Sequence, residues 1–509
     1  MPRNSRTIWV GQFKGQNDSA VPGDSSPVAT PVLANVKARL GVISGRGGLA
    51  KYQAISTAAG NPPVLGLFNY RRVSGTHELL RMTLTKLEKL SGGAWTDITG
   101  TAFTHVDTAR PQYDVIDDIL VFTNEGKQRP RKYTGSGNSA DIALSTMPFC
   151  KALKAYVGFL FAINISDNGT FTDVAEGYRI ARYSDDWEND WTLCAGNEIN
   201  LDETPGEWIG SEVLGRFLMG IKTDAVVAVR HVGGDTRFNQ EKISSIGCAA
   251  PLSIRKTQEQ EICLLGNDGL LYKITQSGMS PLAVLQLSNT LPPKLSLARF
   301  KFARSLVDAK DKVYYLFYDR TSLSGQFLDS YVAYNFQSGE VVSGTLGINV
   351  IAAEAFKATE YAQEDLLIST NTLVEQFDGT AKDDDGTVIA RTWTSGWQHL
   401  PEEGWLHGVR VVMEKAGASR VKVAIATDLQ DSFGGEQTFT LAGLAPGDDH
   451  VEISYHVTPP QLVSWANVRL RLYHDSTAAK TKIQRVGFEL MPLLQVGDKP
   501  PREGEATSI

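Results

Sequence analysis

Cysteine is scarce in this chain: Cys150, Cys194, Cys248 and Cys263 are the four among 509 residues. No two of them form a Cys-x-x-Cys pair, so a zinc site is poorly supported and reduced core thiols in a reducing compartment are expected. Long apolar runs are missing as well. No window approaches the roughly 18 consecutive apolar residues of a membrane helix, and the opening "MPRNSRTIWVGQF" has no apolar segment of the kind a secretory signal needs. Basic runs are absent too. The 50 Lys and Arg against 57 Asp and Glu leave a net charge of −7, which argues against tight wrapping of nucleic acid by counter-ion release. Hydrophobic residues at 42% and charged ones at 21% are enough for a sizeable core and rule out a disordered tail protein. The length calls for two or more domains. Glycine is the abundant residue, 47 in all or about 9% against roughly 7% on average, and it points to many tight turns between short strands.

The pass along the chain gives an all-β reading. Residues 1–60 are rich in Gly, Pro, Ser and Asn, and "GQNDSAVPGDSSPVATPVL" reads as an extended N-terminal arm, laid over its own domain or reaching a neighbouring subunit. Residues 61–385 carry recurrent short strands. In "LLRMTLTKLEKL", Leu80, Met82 and Leu84 share one face, and Ser91-Gly92-Gly93 makes the following turn. "EICLLGNDGLLYKI" is a hairpin joined through Asn267-Asp268-Gly269. "KVYYLFY" is apolar on both faces, as a strand central in a packed sheet is. Further turn signals fall at Asn124-Glu125-Gly126, Asn168-Gly169, Ser338-Gly339 and Asp378-Gly379. Some 300 residues of this kind suit a β-propeller of about six to eight four-stranded blades. From 386 to 495 the alternation is cleaner: Val421, Val423 and Ile425; Val451, Ile453, Tyr455 and Val457; Val468, Leu470 and Leu472; Val486, Phe488 and Leu490. One dry and one wet face predict a C-terminal antiparallel β-sandwich. Residues 496–509 read as a flexible polar tail.

Motifs for chemistry are thin. Gly45-Arg46-Gly47-Gly48-Leu49-Ala50 fits G-x-G-x-x-A on paper, but no helix follows and the next acid is Glu78, so no cofactor is expected. The eight histidines are scattered, and His399 and His407 lack helical ligand spacing; no metal is expected. Asp383-Asp384-Asp385-Gly386 fails the calcium-loop pattern and reads as a solvated turn. The acidic-aromatic cluster "RYSDDWENDWTL" offers Asp185, Asp186, Glu188 and Asp190 beside Trp187 and Trp191. A glycosidase would need two such carboxyls about 5–10 Å apart across a cleft, which one local loop rarely supplies. The cluster reads instead as a structural blade turn built on Ser184, Asp186, Trp187 and Trp191, resembling the Asp-box turn of sialidase-type propellers, with Glu188 where that motif wants glycine. Trp393, Trp397 and Trp405 are candidates for a sugar-binding face, with packing at the domain junction as the other reading.

The order of features resembles the β-propeller tail-hub, or nozzle, proteins of short-tailed bacteriophages. Asn35-Val36, Arg46-Gly47 and Tyr52 look like that family's opening segment, and "GLFNYRRVSGTHELLRMTLTKLEKLSGGAWTDIT" like its first strands. "YRIARYSDDWENDW" looks like its blade turn, although Tyr183 stands where Trp is expected. "ISSIGCAAPLSI", "LLGNDGLLYKI", "YVAYNFQSGEVV" and "DDDGTVIARTWTSGW" continue the likeness over most of residues 30–400. The resemblance implies a non-enzymatic virion structural protein, folded in the host cytoplasm and located in the phage tail. It implies a homo-oligomeric ring, commonly a hexamer, contacting portal-adaptor proteins and tail fibres or spikes, and transient passage of double-stranded DNA through its lumen. The alternatives are a tail-tip receptor- or carbohydrate-binding propeller protein and a glycan-degrading propeller enzyme.

Overall fold

In a computed structural model, the structure describes residues 6–10, 32–39, 42–52, 63–103, 109–142, 146–166, 177–191, 197–234, 237–282, 300–319, 328–370, 373–378, 381, 383–395, 397–414, 419–428, 432–440, 450–474 and 482–492. The described elements are strands, apart from a few short helical turns such as Gly177–Arg179 and Pro251–Ser253. The chain forms two compact units, one of residues 47–388 and one of residues 1–46 with 389–509.

The first unit is a propeller-like series of strand sets, the first six antiparallel and pairing in chain order. Sheet 1 holds Gly66–Arg71, His77–Met82, Leu87–Ser91 and Ala94–Asp97. Sheet 2 holds Gln112–Ile116, Ile119–Thr123, Arg131–Tyr133 and Ala140–Asp141. Sheet 3 holds Phe149–Tyr156, Phe159–Ser166, Ile180–Ser184 and Glu198–Asn200. Sheet 4 holds Trp208–Leu214, Phe217–Lys222, Val226–His231 and Phe238–Ser244. Sheet 5 holds Arg255–Lys256, Ile262–Leu265, Leu271–Thr275 and Gly278–Leu282. Sheet 6 holds Arg304–Asp308, Val313–Tyr318, Leu328–Asn335 and Val341–Val350. Sheet 7 begins with Ala352–Phe356, Asp365–Ser369 and Val374–Asp378, and its fourth strand is Gly48–Lys51 from near the N-terminus. First strands of successive sheets lie side by side, and Ala352–Phe356 lies against Gly66–Arg71, so the series returns to its start.

The turns form where the sequence supplies residues that tolerate positive φ. Asn267-Asp268-Gly269 joins the sheet 5 hairpin with Gly269 at φ 83°. The cores lie between neighbouring sheets: Phe68, Tyr70, Leu80 and Met82 of sheet 1 pack with Leu120, Phe122 and Tyr133 of sheet 2. Met82 ends its strand and Leu84, half-buried in the following turn, does not extend that face as the alternation predicted. The strand Val313–Tyr318 is buried along both faces from Tyr314 onward, between two partners.

The second unit is built on two long strands, Gln398–Glu414 and His450–His474. The first pairs with Lys482–Pro492, and the second runs on from it to pair with Ser419–Thr427 and Arg391–Thr394. Val421, Val423, Ile425, Val468, Leu470, Leu472, Val486, Phe488 and Leu490 are buried at the predicted period of two, whereas Ile453, Tyr455 and Val457 are only half-buried and Ala424 and Ala426, expected on the wet face, are buried.

Parts of residues 1–60, read as an extended arm, form strands. Arg6–Trp9 and Val42–Gly45 pair with Lys482–Pro492, and Val32–Ala34 pairs with Arg391–Thr394, all within this chain. Gly48–Lys51 belongs to the other unit, as a strand of sheet 7. An arm of this composition satisfies its backbone donors by adding strands to open sheet edges. Residues 11–31, the middle of the expected arm, and the tail 496–509 lie outside the described residues.

Candidate functional site

Each first strand of the first unit carries a charged or amide side chain that faces its neighbours' first strands or the space between them: Asn69, Asp114, Lys154, Glu212, Arg255, Arg304 and Glu354. Because first strands are neighbours from sheet to sheet, these residues meet, and they tie the sheets together. Lys154 Nζ reaches Asp114 at 3.5 Å and Glu212 at 2.9 Å, linking sheets 2, 3 and 4. Arg255 Nη2 reaches Glu354 at 3.1 Å, and its Nε donates to the Ser305 carbonyl, linking sheets 5, 6 and 7. Asn69 donates to the Ala355 carbonyl at 2.6 Å, and its own N–H donates to the Tyr113 hydroxyl at 3.2 Å. Arg304 Nε donates to the Ile351 carbonyl at 2.8 Å.

Burial sets the electrostatics here. It raises the Asp114 and Glu354 carboxyls above their usual range despite Lys154 and Arg255 beside them. Burial also opposes the charge on Glu212, but Lys154 prevails and holds that carboxyl below its usual range. Lys154, Glu212, Arg255, Arg304 and Glu354 line a partly open cavity of about 80 Å³ together with Gly66, Gln112, Tyr113, Gly210, Ser211 and Pro251. Gln112 and Pro251 line a second, wider recess of about 500 Å³, which carries the ion pairs Arg110–Glu125 and Lys151–Glu207 together with Thr223, Asp224, Asn267 and Lys301. None of its lining residues is aromatic.

The Ser184–Trp191 turn lies outside both cavities. Ser184 Oγ donates to the Asp190 carbonyl at 2.8 Å, and the Asp186 carbonyl accepts the N–H groups of Asn189 and Asp190. Trp187 and Trp191 are buried, with Trp191 Nε1 donating to the Trp187 carbonyl at 2.8 Å and Trp187 Nε1 to Asp117 at 3.1 Å. Asp185 and Asp186 are exposed, and Glu188 pairs with Lys132. The arrangement closes a turn and plugs two indoles between sheets 2 and 3.

Gly48, taken from the G-x-G-x-x-A segment, needs its missing side chain for a different reason: a Cβ there would sit 1.8 Å from the Asp383 carbonyl oxygen. Asn35, at φ 56°, accepts from Arg46 Nε at 3.0 Å and donates to the Ala390 carbonyl at 2.9 Å. Asp383 accepts the Gly386 N–H as a turn residue, yet Asp384 is buried and accepts the Gly347 N–H, so the run is not the uniformly solvated turn expected. Trp393 is buried, while Trp397 and Trp405 are half-buried. Cys150, Cys248 and Cys263 are buried free thiols; Cys194 lies outside the described residues. Among the described residues no group of three or more His, Cys, Asp or Glu is placed to hold a metal ion.

The seven polar positions escaped the sequence reading because they lie in separate sheets, roughly 30–60 residues apart. A charge or amide does recur in each first strand, but other polar residues such as Arg71, Lys151, Lys256 and Asp308 stand in the same strands and hide it.

No protein-family model matches the chain, and no curated protein matches it in sequence. Among solved structures it is similar to the extracellular domain of a hybrid two-component system from B. thetaiotaomicron, at 8% identity and a TM-score of 0.39 over 73% of this chain and 43% of that one. A second such domain from that organism matches at 11% identity and 0.40, over 77% and 48%. The chain thus spans less than half the length of those domains. An exo-β-1,3-galactanase from Phanerochaete chrysosporium matches at 10% identity and 0.25, over 87% and 100%. With TM-scores below 0.5, these likenesses carry no argument.

Proposed function

We propose that this chain is a virion structural protein, the tail hub or nozzle of a short-tailed bacteriophage, built on a seven-bladed propeller with sheets 1–7 as its blades. Copies form a homo-oligomeric ring, a hexamer, that extends the tail tube, helps retain the packaged genome, conducts DNA on ejection and docks fibres or spikes. The reading starts from the order of sequence features, and one observation carries it further. Where the first strands of the proposed blades meet, the chain's own side chains pair, Asp114–Lys154–Glu212 and Arg255–Glu354, beside a cavity of about 80 Å³. A propeller stitched this way at its axis serves as a rigid block, and its work is done by its outer surfaces. The N-terminal segment supports the same reading, since its strands are spent on closing sheet 7 and widening the C-terminal β-domain. A net charge of −7 suits a ring whose lumen repels phosphate and lets DNA slide.

The recess of about 500 Å³ favours a second reading, a tail-tip receptor-binding protein. Its lining of paired charges without an aromatic platform weighs against a sugar ligand. Light scattering with negative-stain imaging of the purified full chain, alone and mixed with portal and adaptor proteins, separates the two. Rings with an open channel are expected. A chain that stays monomeric in both samples and binds host-surface glycans would overturn the nozzle reading.

A further inference from the structure

Two surfaces of opposite charge stand apart from both cavities. The first is the polar side of the second unit's sheet. There Lys422 lies opposite Arg471 and Thr438, while Arg471 and Arg469 lie opposite Thr392 and Thr394. These positions alternate with the buried Val421, Val423, Leu470 and Leu472, so their side chains leave by the other face. One carboxylate serves all three cations: Glu436 Oε1 takes Arg471 at 2.9 Å and Arg469 at 3.0 Å, and Oε2 lies 3.9 Å from Lys422. Among the described residues no second carboxylate comes within ion-pair distance of either arginine. Positive charge is therefore in surplus, and solvent reaches it, the Arg471 side chain being 39% exposed and that of Lys422 32%. The Phe433 ring, centred 4.4 Å from the Arg469 guanidinium, supports the group from beside it.

The second surface is the outer edge of sheet 3. Residues 181–207 hold eight carboxylates against one cation, Arg182. Asp185 and Asp186 follow the third strand, Glu198 opens the fourth, which is the edge strand, and Asp202 and Glu203 come after it; all five are exposed. Arg237 stands 4.0 Å from Asp185 and Arg182 3.4 Å from Glu198, but among the described residues no cation pairs with Asp186, Asp202 or Glu203.

We propose that these surfaces meet between copies of this chain, the Lys422–Arg469–Arg471 face of one receiving the acidic edge of sheet 3 of the next. The inference rests on the ring proposed above and names the contact that builds it. Charge complementarity selects the occupant, since each surface has in surplus what the other lacks. A contact between two unlike patches is head-to-tail, and repeated by rotation it closes a ring. Opposed charges there set the register of the subunits and speed their encounter.

The test follows assembly of the full chain with portal and adaptor proteins by light scattering. Lys422→Glu with Arg471→Glu, which leaves Arg469 to hold Glu436, raises the concentration for half-assembly by about tenfold or more. Asp202→Lys with Glu203→Lys does the same. An equal mixture of the two variants restores assembly, because every contact in an alternating ring again joins opposite charges. Salt raised from about 0.1 M to about 1 M weakens the unsubstituted rings, as the screening length falls from about 10 Å to about 3 Å. In rings mixed from isotope-labelled and unlabelled copies, carbodiimide, which joins amine to carboxylate, links Lys422 to Asp202 or Glu203 of another copy, a result that needs no variant. Rings that form equally well with either variant overturn this contact and leave the ring reading standing, whereas a chain that never assembles removes both. Cross-links confined to single copies overturn it too, as does a basic face that binds duplex DNA while its charge reversal leaves assembly unchanged.

Discussion

Glu375 sits in the strand Val374–Asp378, 1% exposed, with Oε2 unpartnered and with the charges of Asp385, Asp384 and Lys51 around it. Burial first, then Asp385 and Asp384, push its carboxyl up to about 7, with Lys51 opposing. The folded state therefore holds a proton that the unfolded chain releases near pH 4.5. The stabilisation is full below about pH 4.5 and is lost as pH rises to about 7. Glu375→Gln is expected to flatten that part of the stability–pH profile and to be the more stable protein at pH 8, by on the order of 2 kcal/mol, as read from denaturant midpoints. Trp191 makes the opposite case. Fully buried and bonded to the Trp187 carbonyl, it should cost about 3–5 kcal/mol on Trp191→Ala, whereas Asp185→Asn, at an exposed position, should leave the midpoint within about 0.5 kcal/mol. The Ser184–Trp191 turn was legible because its residues are close in sequence and use side chains with strong turn and packing preferences. Glu375 was not, since its acidic neighbours Asp384 and Asp385 only become relevant once a hairpin folds back beside Gly48–Lys51.

At the scale of elements, strands bounded by Asn-Gly-type and Gly-Gly turns could be read directly, because a hairpin is local and its turn chemistry is specific. The Ile262–Leu265/Leu271–Thr275 hairpin is an example, while Val313–Tyr318 was legible from its unbroken apolar run. The closing strand Gly48–Lys51 could not. It has four residues, its apolar content is Leu49 and Ala50, and its partner Val374–Asp378 comes more than 320 residues later. Its glycines invited a search for a phosphate loop, while the structure uses Gly48 to let the backbone approach Asp383. Gly48→Ala should thus displace the Asp383–Asp384 hairpin strand and loosen sheet 7, with a loss of about 1–3 kcal/mol. Hydrogen exchange should locate the new opening at residues 48–51 and 374–378 and leave sheets 3 and 4 protected. Exchange spread evenly over all sheets would mean that the strand does not close the series.

For the whole molecule, function was harder to read than fold because the proposed work depends on shape and carries no catalytic signature; likeness in the order of segments was the available clue. What the sequence reading missed is how seven separate strands become one body. The Asp114–Lys154–Glu212 contact shows the principle, since three sheets share one half-buried ammonium. Asp114 and Glu212 act together to raise the Lys154 pKa above its ordinary value although burial alone would lower it, so the charge on Lys154 depends on both. Lys154→Met leaves two half-buried carboxylates uncompensated and should cost about 1–3 kcal/mol. Replacing all three together, by Met at 154, Asn at 114 and Gln at 212, removes the charges in balance and should recover most of that loss. Denaturant melts of the single, paired and triple variants measure the coupling. If the sheets act as one closed series, every variant keeps a single transition for the unit of residues 47–388, shifted in midpoint but unchanged in steepness. A triple variant no more stable than Lys154→Met would mean that the contact stabilises by geometry alone, and a split transition would show that the sheets at the axis unfold independently.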